Sequence, residues 1–408
     1  MRIAVVAHSF PRYSGDSHGP FVERLSQELA ALGHRVDVLL PHHPELRTEG
    51  REPLEVSEFR YIWPSAAHLL GYSRTLKRDT ALAIGSILEA PLYFAFGARA
   101  LSRLVRRRSI ELVHAHWILP NGFLAARARA RTGVPYAVTL HGSDVFMAER
   151  NPLFRALART ALAGATYVTS CSADLRERLL ALAGPQHAAK IHLVANGTDL
   201  VAPPSAEALG AARRRLGLAA DERAVVSVGR MVDKKGFDVL VAAWPRVVAA
   251  APRARLVLGG GGPLREALER QAQALGVADR VRFAGALSHP EVLELVALGE
   301  IFAMPSVRDA KGNIDGLPVV VLEAMAAAKP VVASEIAGIP LVVTPDLTGL
   351  LVPERDPEAL AAALLRLLAD PVTAARWGRA GRERVERDLT WAAIARRHDR
   401  LRREALGR

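Results

Sequence analysis

The chain has 408 residues, half of which are hydrophobic, and this length predicts about two to four domains. Its single cysteine, Cys171, excludes an internal disulfide and a paired-cysteine metal site, and no stretch of about 20 residues lacks a charge, which argues against a membrane-spanning helix. The formal net charge of +12 favours an anionic partner: a nucleic acid, an anionic membrane or a phosphorylated substrate.

Short apolar runs alternate with helical patterns through the first half of the chain. The first run, RIAVVA, is followed by His8 and Pro11 and is interpreted as a strand, not as a signal peptide. The next strands are predicted at RVDVLL, ELVHAH, YAVTL, ATYVTS and IHLVA. The stretches between them, such as PFVERLSQELAALG, have apolar residues at helical spacing. This alternation predicts a parallel sheet flanked by helices.

A basic stretch, residues 81–108, ends in five arginines between Arg99 and Arg108 without an acidic residue among them. Two interpretations stay open. A basic amphipathic helix can lie on an anionic bilayer, and the same pattern also describes an ordinary solvated helix end.

Other residues with metal-binding or thiol chemistry favour structural roles. His114 and His116 are two residues apart and share one face of a strand, but no carboxylate or cysteine at the usual spacing completes a metal site. Cys171 follows a predicted strand and is expected in the core, and a lone thiol fits a reducing cytoplasm.

The strand pattern restarts after a linker near residues 196–204. A second series is predicted at DERAVVSVGR, ARLVLGG, VRFAG, EIFAMPS, PVVAS and TGLLV, and Trp391 begins a final helix. The two series indicate two Rossmann-like units in tandem. Ligands of such sheets lie outside the carboxyl ends of the strands, and the cleft between two units is the expected site.

An apolar helix in the second unit contains a carboxylate, Glu323, in the stretch NIDGLPVVVLEAMAAAKPVVAS. Asp315 and Pro318 suit a helix start, so a helix is expected from near Gly316 to about Ala328. Its free N–H groups would form an anion site. One interpretation makes Asp315 a cap and Glu323 a structural carboxylate, and the other makes both of them ligand contacts.

Two cations lie in the loop VGRMVDKKG, after the first strand of the second unit. Arg230 and Lys235 precede a helix expected to begin near Gly236, where they are well placed for phosphates. The glycine-rich turn at residues 259–263 lets backbone approach a ligand closely. It lacks the GxGxxG pattern with a later acidic residue, so a dinucleotide-binding fold is poorly supported.

These motifs, in their order, resemble the family 4 glycosyltransferases. The resemblance is carried by VGRMVDKKG, GGGP, VRFAG and DGLPVVVLEAMAAAKPVVAS, and by FPRYSGDSHGPFVERL, HAHW, TLHGSDV and NGTD in the first half. It implies a GT-B fold, in which two tandem Rossmann-like domains have parallel sheets facing across a central cleft. Residues 1–196 would bind the acceptor, residues 197–385 the nucleotide sugar, and the helix at 386–408 would pack back on the N-terminal domain.

The resemblance also implies an activity: metal-independent hexosyl transfer, with retention of configuration, from a UDP- or GDP-linked sugar to a glycan or lipid-linked acceptor. Such an enzyme would serve cell-envelope or polysaccharide biosynthesis. The nucleotide sugar is a co-substrate, and no cofactor and no metal are expected. The protein is expected in the cytoplasm, with peripheral contact between Arg99–Arg108 and the inner face of the cell membrane as an open alternative.

The catalytic set that the resemblance implies is His141, Asp315, Arg230 and Lys235. Arg230 and Lys235 would hold the donor diphosphate and offset charge on the leaving nucleotide. Asp315 would contact the donor sugar, Glu323 the ribose hydroxyls, and His141 the transferred sugar near the reacting carbon. The remaining expected donor-binding residues are Gly19 at the diphosphate or acceptor, Phe283 and Ala284 at the base, and the backbone of Gly316, Leu317, Pro318 and Val319.

The sequence departs from the family pattern at three positions. Asp315 replaces a Glu, a single Gly19 stands where many members have paired glycines, and Leu341 stands where a Glu is common. The alternative functions are a nucleotide-sugar epimerase or hydrolase of GT-B architecture and, more remotely, a nucleic-acid-binding protein. No nucleic-acid-binding module is recognisable and the basic residues are spread out, so no nucleic-acid partner is expected.

Overall fold

The computed structural model describes the chain except residues 14, 17, 65–67, 69, 73–75, 79–80 and 83, and it also leaves the side chains of residues 76–78, 81–82, 84–87 and 143 undescribed. The chain forms two compact units. The first unit comprises Met1–Asn196 and Trp391–Arg408, and the second comprises Gly197–Thr390.

The first unit is built on a seven-stranded parallel sheet with the order β3-β2-β1-β6-β7-β8-β9. Its strands are short apolar runs because helices cover both faces of a parallel sheet. A two-stranded antiparallel pair, β4-β5, lies outside this sheet. The strands are β1 Arg2–Val6, β2 Arg35–Pro41, β3 Glu55–Phe59, β4 Leu76–Arg78, β5 Ala81–Leu82, β6 Leu112–His116, β7 Tyr136–Leu140, β8 Tyr167–Ser170 and β9 Ile191–Leu193.

Helices connect these strands, and the last helix of the chain returns to the same unit, where it contacts the first helix and β8. The helices are α1 Pro20–Ala31, α2 Ile84–Arg108, α3 Phe123–Thr132, α4 Ser143–Arg150, α5 Pro152–Gly164, α6 Ala173–Ala183 and, from the chain end, α15 Trp391–Leu406. The predicted C-terminal segment began at residue 386. The structure corrects this start to Trp391, because Val385–Leu389 forms a separate helical turn of the second unit.

The second unit has a six-stranded parallel sheet with the order β12-β11-β10-β13-β14-β15. Its strands are β10 Arg223–Val228, β11 Ala254–Gly259, β12 Val281–Gly285, β13 Ile301–Met304, β14 Val331–Ser334 and β15 Gly349–Val352. Its helices are α7 Ala206–Arg215, α8 Phe237–Ala250, α9 Arg265–Ala274, α10 His289–Leu298, α11 Val319–Ala326, α12 Ile339–Val342, α13 Pro357–Ala369 and α14 Pro371–Arg384.

The predicted pair of parallel α/β sheets is confirmed. One strand of the large sheet, β3, has no counterpart in the predicted series. It is an edge strand with the sequence EVSEF, and its polar residues give it no apolar run. Within the described residues, no helix has both the length and the apolar character needed to span a bilayer.

Candidate active site

The loop after β10 carries three cations, Arg230, Lys234 and Lys235. A short 3-10 turn, Asp233–Lys235, leads through Gly236 into α8. The strands of this sheet are all parallel and the loop follows β10, so it lies at the carboxyl end of the sheet, where ligands of such folds bind.

Glycines fix the path of this loop. Gly236 has φ of 64°, and a Cβ there would overlap the carbonyl oxygen of Pro305, just after β13. Gly262 has φ of 155°, and a Cβ there would lie 2.5 Å from the carbonyl oxygen of Met231. The Met231 N–H donates to the carbonyl of Gly261 at 2.8 Å. The two loops therefore pack backbone against backbone, which only glycine permits at these positions.

Asp315 pairs with both lysines of the loop. Lys235 Nζ lies 2.6 Å from Asp315 Oδ2, and Lys234 Nζ lies 3.2 Å from Oδ1. This arrangement corrects the predicted helix start: α11 begins at Val319 after Pro318, and no side chain caps it. Asp315 therefore holds a cation pair and is not a helix cap.

Electrostatics keep Asp315 ionised. Burial by itself would raise the pKa of this carboxyl, but Lys235 and Lys234 lower it further than burial raises it, to about 2. Lys234 was not among the sequence-predicted site residues, because a second lysine in DKKG could equally be solvated. Arg230, Lys234 and Lys235 line one pocket together with Asp315, and such a group of cations suits an anionic ligand, for which a diphosphate is a candidate.

Glu323 lies on α11 and its side chain is 14% exposed. The basic group facing it is His289, at the start of α10, with Nδ1 3.8 Å from Oε1. Burial raises the pKa of Glu323, the charge of His289 lowers it, and Asp199 raises it further. A neighbouring pair of ligand hydroxyls could donate hydrogen bonds to such a carboxylate and offset its burial.

One pocket of about 360 Å³ contains most of these groups. It lies within the second unit, at the mouth formed by the loop after β10 and the first turns of α10 and α11. Its lining residues are Val228, Gly229, Arg230, Lys234, Lys235, His289, Val292, Asp315, Val319, Val320 and Glu323.

The remaining predicted residues of the second unit lie outside that lining. Phe283 and Ala284 line a second pocket of about 270 Å³, and the Arg265 guanidinium lies 6.0 Å from the centre of the Phe283 ring. Gly316, Leu317 and Pro318 form the connection between Asp315 and α11. Contact between the base and the end of β12 therefore stays a prediction.

His141 follows β7 in the first unit and is surrounded by aromatic rings. Its ring centre lies 4.7 Å from that of Phe21 and 4.4 Å from that of Trp117. Its Nε2 lies 3.0 Å from Nδ1 of His116 at the end of β6. Burial lowers the pKa of His141 well below its ordinary value, so the imidazole is neutral at pH 7.

Gly19 precedes α1 in the same unit. It has φ of 61°, and a Cβ there would lie 2.7 Å from the carbonyl oxygen of Ser9. The position therefore requires glycine for a local backbone reason, which is compatible with the predicted approach of backbone to a ligand.

Asp144 is a residue that the sequence reasoning missed. Its Oδ2 accepts a hydrogen bond from the Ile118 N–H at 2.6 Å, and its Oδ1 accepts one from the Gly142 N–H at 3.1 Å. Burial raises the pKa of Asp144 to about 6, although its backbone hydrogen bonds act in the opposite direction. Asp144 thus ties the loop containing His141 to the loop after β6. The sequence signal for Asp144 is its place in the motif HGSD, which puts a carboxylate in the first turn of α4.

The paired histidines of β6 have no metal-site geometry. His114 Nε2 lies 2.8 Å from Thr139 Oγ1, and the His114 ring stacks on His116 at 4.7 Å. Throughout the described residues, no three His, Cys, Asp or Glu side chains are arranged to hold a metal ion. Cys171 is buried, as predicted.

Family models match both halves of the chain. The model described as "Glycosyl transferase 4-like domain" matches residues 18–197, and "Glycosyl transferases group 1" matches residues 210–384. Among curated relatives, a GDP-mannose-dependent alpha-(1-6)-phosphatidylinositol monomannoside mannosyltransferase of Mycobacterium tuberculosis is 32% identical over 97% of this chain and 96% of its own. A glycogen synthase of the same organism is 31% identical over 97% of this chain and 92% of its own.

Solved structures agree in fold. The sucrose-phosphate synthase of Thermosynechococcus elongatus has a TM-score of 0.75 at 27% identity, covering 100% of this chain and 99% of its own. An Anabaena protein in complex with UDP has a TM-score of 0.74 at 20% identity, covering 99% of this chain and 100% of its own. The fold is that of the GT-B structures.

Proposed function

The chain belongs to the glycosyltransferases of the family 4 type, and on that premise we propose that it transfers a hexose from a nucleoside diphosphate sugar to a glycan or lipid-linked acceptor, with retention of configuration. One observation carries the proposal. A single pocket holds Asp315 between Lys234 and Lys235, with Arg230 and the buried Glu323 in its wall.

Four charged groups of this pocket have a task in the proposed reaction, and so has His141, which lies outside it. Arg230 and Lys235 bind the diphosphate and stabilise the negative charge that develops on the leaving nucleotide. Asp315, held ionised, accepts a hydrogen bond from a hydroxyl of the transferred sugar. Glu323 accepts hydrogen bonds from the ribose hydroxyls, and the contact of His141 with the sugar near the reacting carbon is part of the same proposal.

GDP-mannose is the first donor to test, because curated relatives that match nearly the whole chain carry this donor in their names. Ligand binding to the native state raises the melting temperature, so a thermal-shift screen of GDP-mannose, UDP-glucose and ADP-glucose identifies the donor. We expect a shift with one of them and none with free sugars. A mannosylated phosphatidylinositol and a glucan then serve as acceptors.

A product assay separates transfer from the alternative, an epimerase or hydrolase of the same fold. A transferase forms product only when acceptor is present, whereas an epimerase or hydrolase consumes donor without it. The one-bond carbon–proton coupling at the anomeric carbon of the new linkage reports retention, for a mannoside as well as for a glucoside. Donor turnover that does not depend on any acceptor would contradict the proposal.

We also propose that transfer needs no metal ion, because Lys234 and Lys235 beside Asp315, and Arg230 in the wall of the same pocket, supply positive charge. Full activity in EDTA is the expected result. Activity that is lost in EDTA and restored by Mg²⁺ or Mn²⁺ would contradict it.

A lipid-linked acceptor would lie in a membrane. We propose that one surface of α2 rests on an anionic bilayer. Leu88, Leu92 and Phe96 are 75%, 41% and 48% exposed and follow one another at helical spacing. The same face continues with the exposed Arg99 and Arg103. Apolar side chains followed by arginines suit the boundary between acyl chains and anionic headgroups.

Arg106 and Arg108, in the last part of this cluster, are engaged within the unit. The Arg106 guanidinium donates to the carbonyl of Arg131 at 3.0 Å. The Arg108 guanidinium lies 3.4 Å from Asp37 and 3.3 Å from Glu55. The membrane-facing part of the predicted Arg99–Arg108 cluster is therefore its first part, together with the apolar residues that precede it.

A further inference from the structure

The buried residue His116 forms a hydrogen bond with one of the two ring nitrogens of His141 and leaves the other nitrogen available. The side chains of His116 and His141 come from the ends of neighbouring strands, and their rings are nearly parallel, with centres 5.3 Å apart. His116 Nδ1 and His141 Nε2 are 3.0 Å apart, which is hydrogen-bond distance. Nδ1 is then the imidazole nitrogen of His141 left for a substrate.

His116 itself is almost completely inaccessible, at 1% exposure. Among the described residues, none forms a hydrogen bond with its Nε2. Burial lowers the pKa of His116 to about 3, so both rings are neutral at pH 7 and a single proton lies between them.

The position of that proton follows from the buried Nε2 of His116. If His141 donated the proton, His116 would carry its own hydrogen on Nε2 and bury an N–H group without an acceptor. Orphaned buried N–H groups are rarer in proteins than acceptors with unused lone pairs. The favoured arrangement has Nδ1–H of His116 donating to Nε2 of His141, which places the hydrogen of His141 on Nδ1.

We propose that His116 is a positioning residue that fixes His141 as the Nδ1–H tautomer, so that His141 offers the transferred sugar an N–H donor and not a bare nitrogen. This inference rests on the proposed function, in which His141 contacts the sugar. Tautomer choice matters because a neutral imidazole is a donor at one nitrogen and an acceptor at the other.

The backbone at His116 is held independently of its imidazole. The carbonyl of His116 accepts a hydrogen bond from Asn121 Nδ2 at 2.8 Å, and the strand pairs on both sides in the sheet. Replacement of the side chain therefore removes the hydrogen bond to His141 without releasing the loop.

Three variants test the proposal. His116→Leu removes the hydrogen bond, and His116→Asn keeps an amide N–H at the position of Nδ1. His114→Leu is the matched control, since His114 is equally buried on the same strand and stacks on His116, but its Nε2 lies against Thr139 Oγ1.

Nitrogen-15 NMR of histidine-labelled protein reports the tautomer directly. We expect the wild type and His116→Asn to show His141 protonated on Nδ1, and His116→Leu to show a mixture of tautomers. In kinetics, His116→Leu should lower kcat about tenfold with little change in donor KM, whereas His116→Asn should stay within about threefold of the wild type.

Two results would overturn the proposal: a wild-type His141 protonated on Nε2, or equal loss of kcat in His116→Leu and His114→Leu. The NMR measurement needs no donor or acceptor. Failure of the proposed function would instead appear as a wild type that transfers no sugar while its His141 tautomer is as expected.

Discussion

At the scale of single residues, the ion pairs of Asp315 replace the helix cap that its position suggested. A cap would tolerate Asn, because Asn and Asp cap helices about equally well. A carboxylate between Lys234 and Lys235 does not tolerate it, because an amide removes the negative charge with which the two ammonium groups pair.

We predict that Asp315→Asn lowers kcat/KM at least about tenfold, equivalent to about 1.4 kcal/mol, because Asn presents an amide N–H to a sugar hydroxyl. Asp315→Glu keeps the charge and should retain measurable activity. Steady-state kinetics with the identified donor checks both variants, and wild-type rates in Asp315→Asn would return this residue to a structural role.

The same carboxylate gives a pH dependence of stability. Its folded pKa of about 2 lies below the ordinary 3.8, so the ion pair stabilises the fold above about pH 4 and this contribution is lost as pH falls towards 2. The difference amounts to about 2 kcal/mol. Urea unfolding between pH 2 and 5 should show a shallower loss in Asp315→Asn than in the wild type, and parallel curves would contradict the assignment.

Lys235→Ala is predicted to lower turnover about 100-fold, by analogy with the loss of one electrostatic stabiliser of a developing charge. Lys311, exposed in the loop before Asp315, provides the control: Lys311→Ala should leave turnover within about twofold. Comparable turnover in the two variants would show that Lys235 does not act on the leaving group.

Gly236→Ala is predicted to destabilise the second unit more than Gly217→Ala. The two glycines have φ of 64° and 65°. Alanine in this left-handed backbone conformation therefore costs the same strain energy, about 1–2 kcal/mol, at both positions. At Gly217 the nearest atoms are 4.0 Å from the added Cβ, whereas at Gly236 the Pro305 carbonyl must move. Urea midpoints measure the difference, and equal midpoints would show that the overlap is relieved without cost.

At the scale of elements, α2 has a buried face and an exposed stripe, and this stripe is apolar in its first part and basic in its last part. Leu101 and Val105 face the core, whereas the stripe begins with leucine and phenylalanine and ends with arginine. The arginines alone are equally typical of a membrane surface and of a solvated helix end. The exposed apolar residues at the same face favour the bilayer.

We predict that the protein binds vesicles of phosphatidylcholine with phosphatidylglycerol, and not vesicles of phosphatidylcholine alone. Leu92→Ser with Phe96→Ser, or Arg103→Glu, should weaken this binding, and salt should weaken it in the wild type. Leu153, an exposed leucine on α5, gives the control Leu153→Ser, which should bind like the wild type. Sedimentation with vesicles measures it, and unchanged binding by the α2 variants would exclude this surface.

At the scale of the whole molecule, the last helix of the chain, α15, is part of the first unit. Arg402 of α15 is fully buried, its Nη1 lies 3.1 Å from Asp399 Oδ1, and His34 Nε2 lies 2.9 Å from the same oxygen. This network joins α15 to the segment between α1 and β2. The first unit therefore depends on residues almost 370 positions apart in sequence.

Asp399→Asn is predicted to destabilise the first unit by about 3–5 kcal/mol, because it leaves the buried Arg402 without its anion. Arg403 pairs with the same carboxylate but is 62% exposed, so Arg403→Ala should cost at most about 1 kcal/mol. Hydrogen exchange followed by mass spectrometry localises the effect. Faster exchange in residues 1–196 with an unchanged second unit is expected, and equal effects in both units would contradict the assignment.

The sequence by itself determined the two parallel sheets, their apolar strands and the motifs that carry Arg230, Lys235 and Glu323. These features are local: a buried strand requires a short apolar run, and a helix requires apolar residues at its own spacing. Only the tertiary structure decided which side chains meet. Asp315 pairs with Lys234 and Lys235, 81 and 80 positions earlier, because β10 and β13 are neighbours in the sheet. His116 meets His141 because β6 and β7 pair in register. Such contacts depend on strand order and side-chain direction, which no local pattern in the sequence contains.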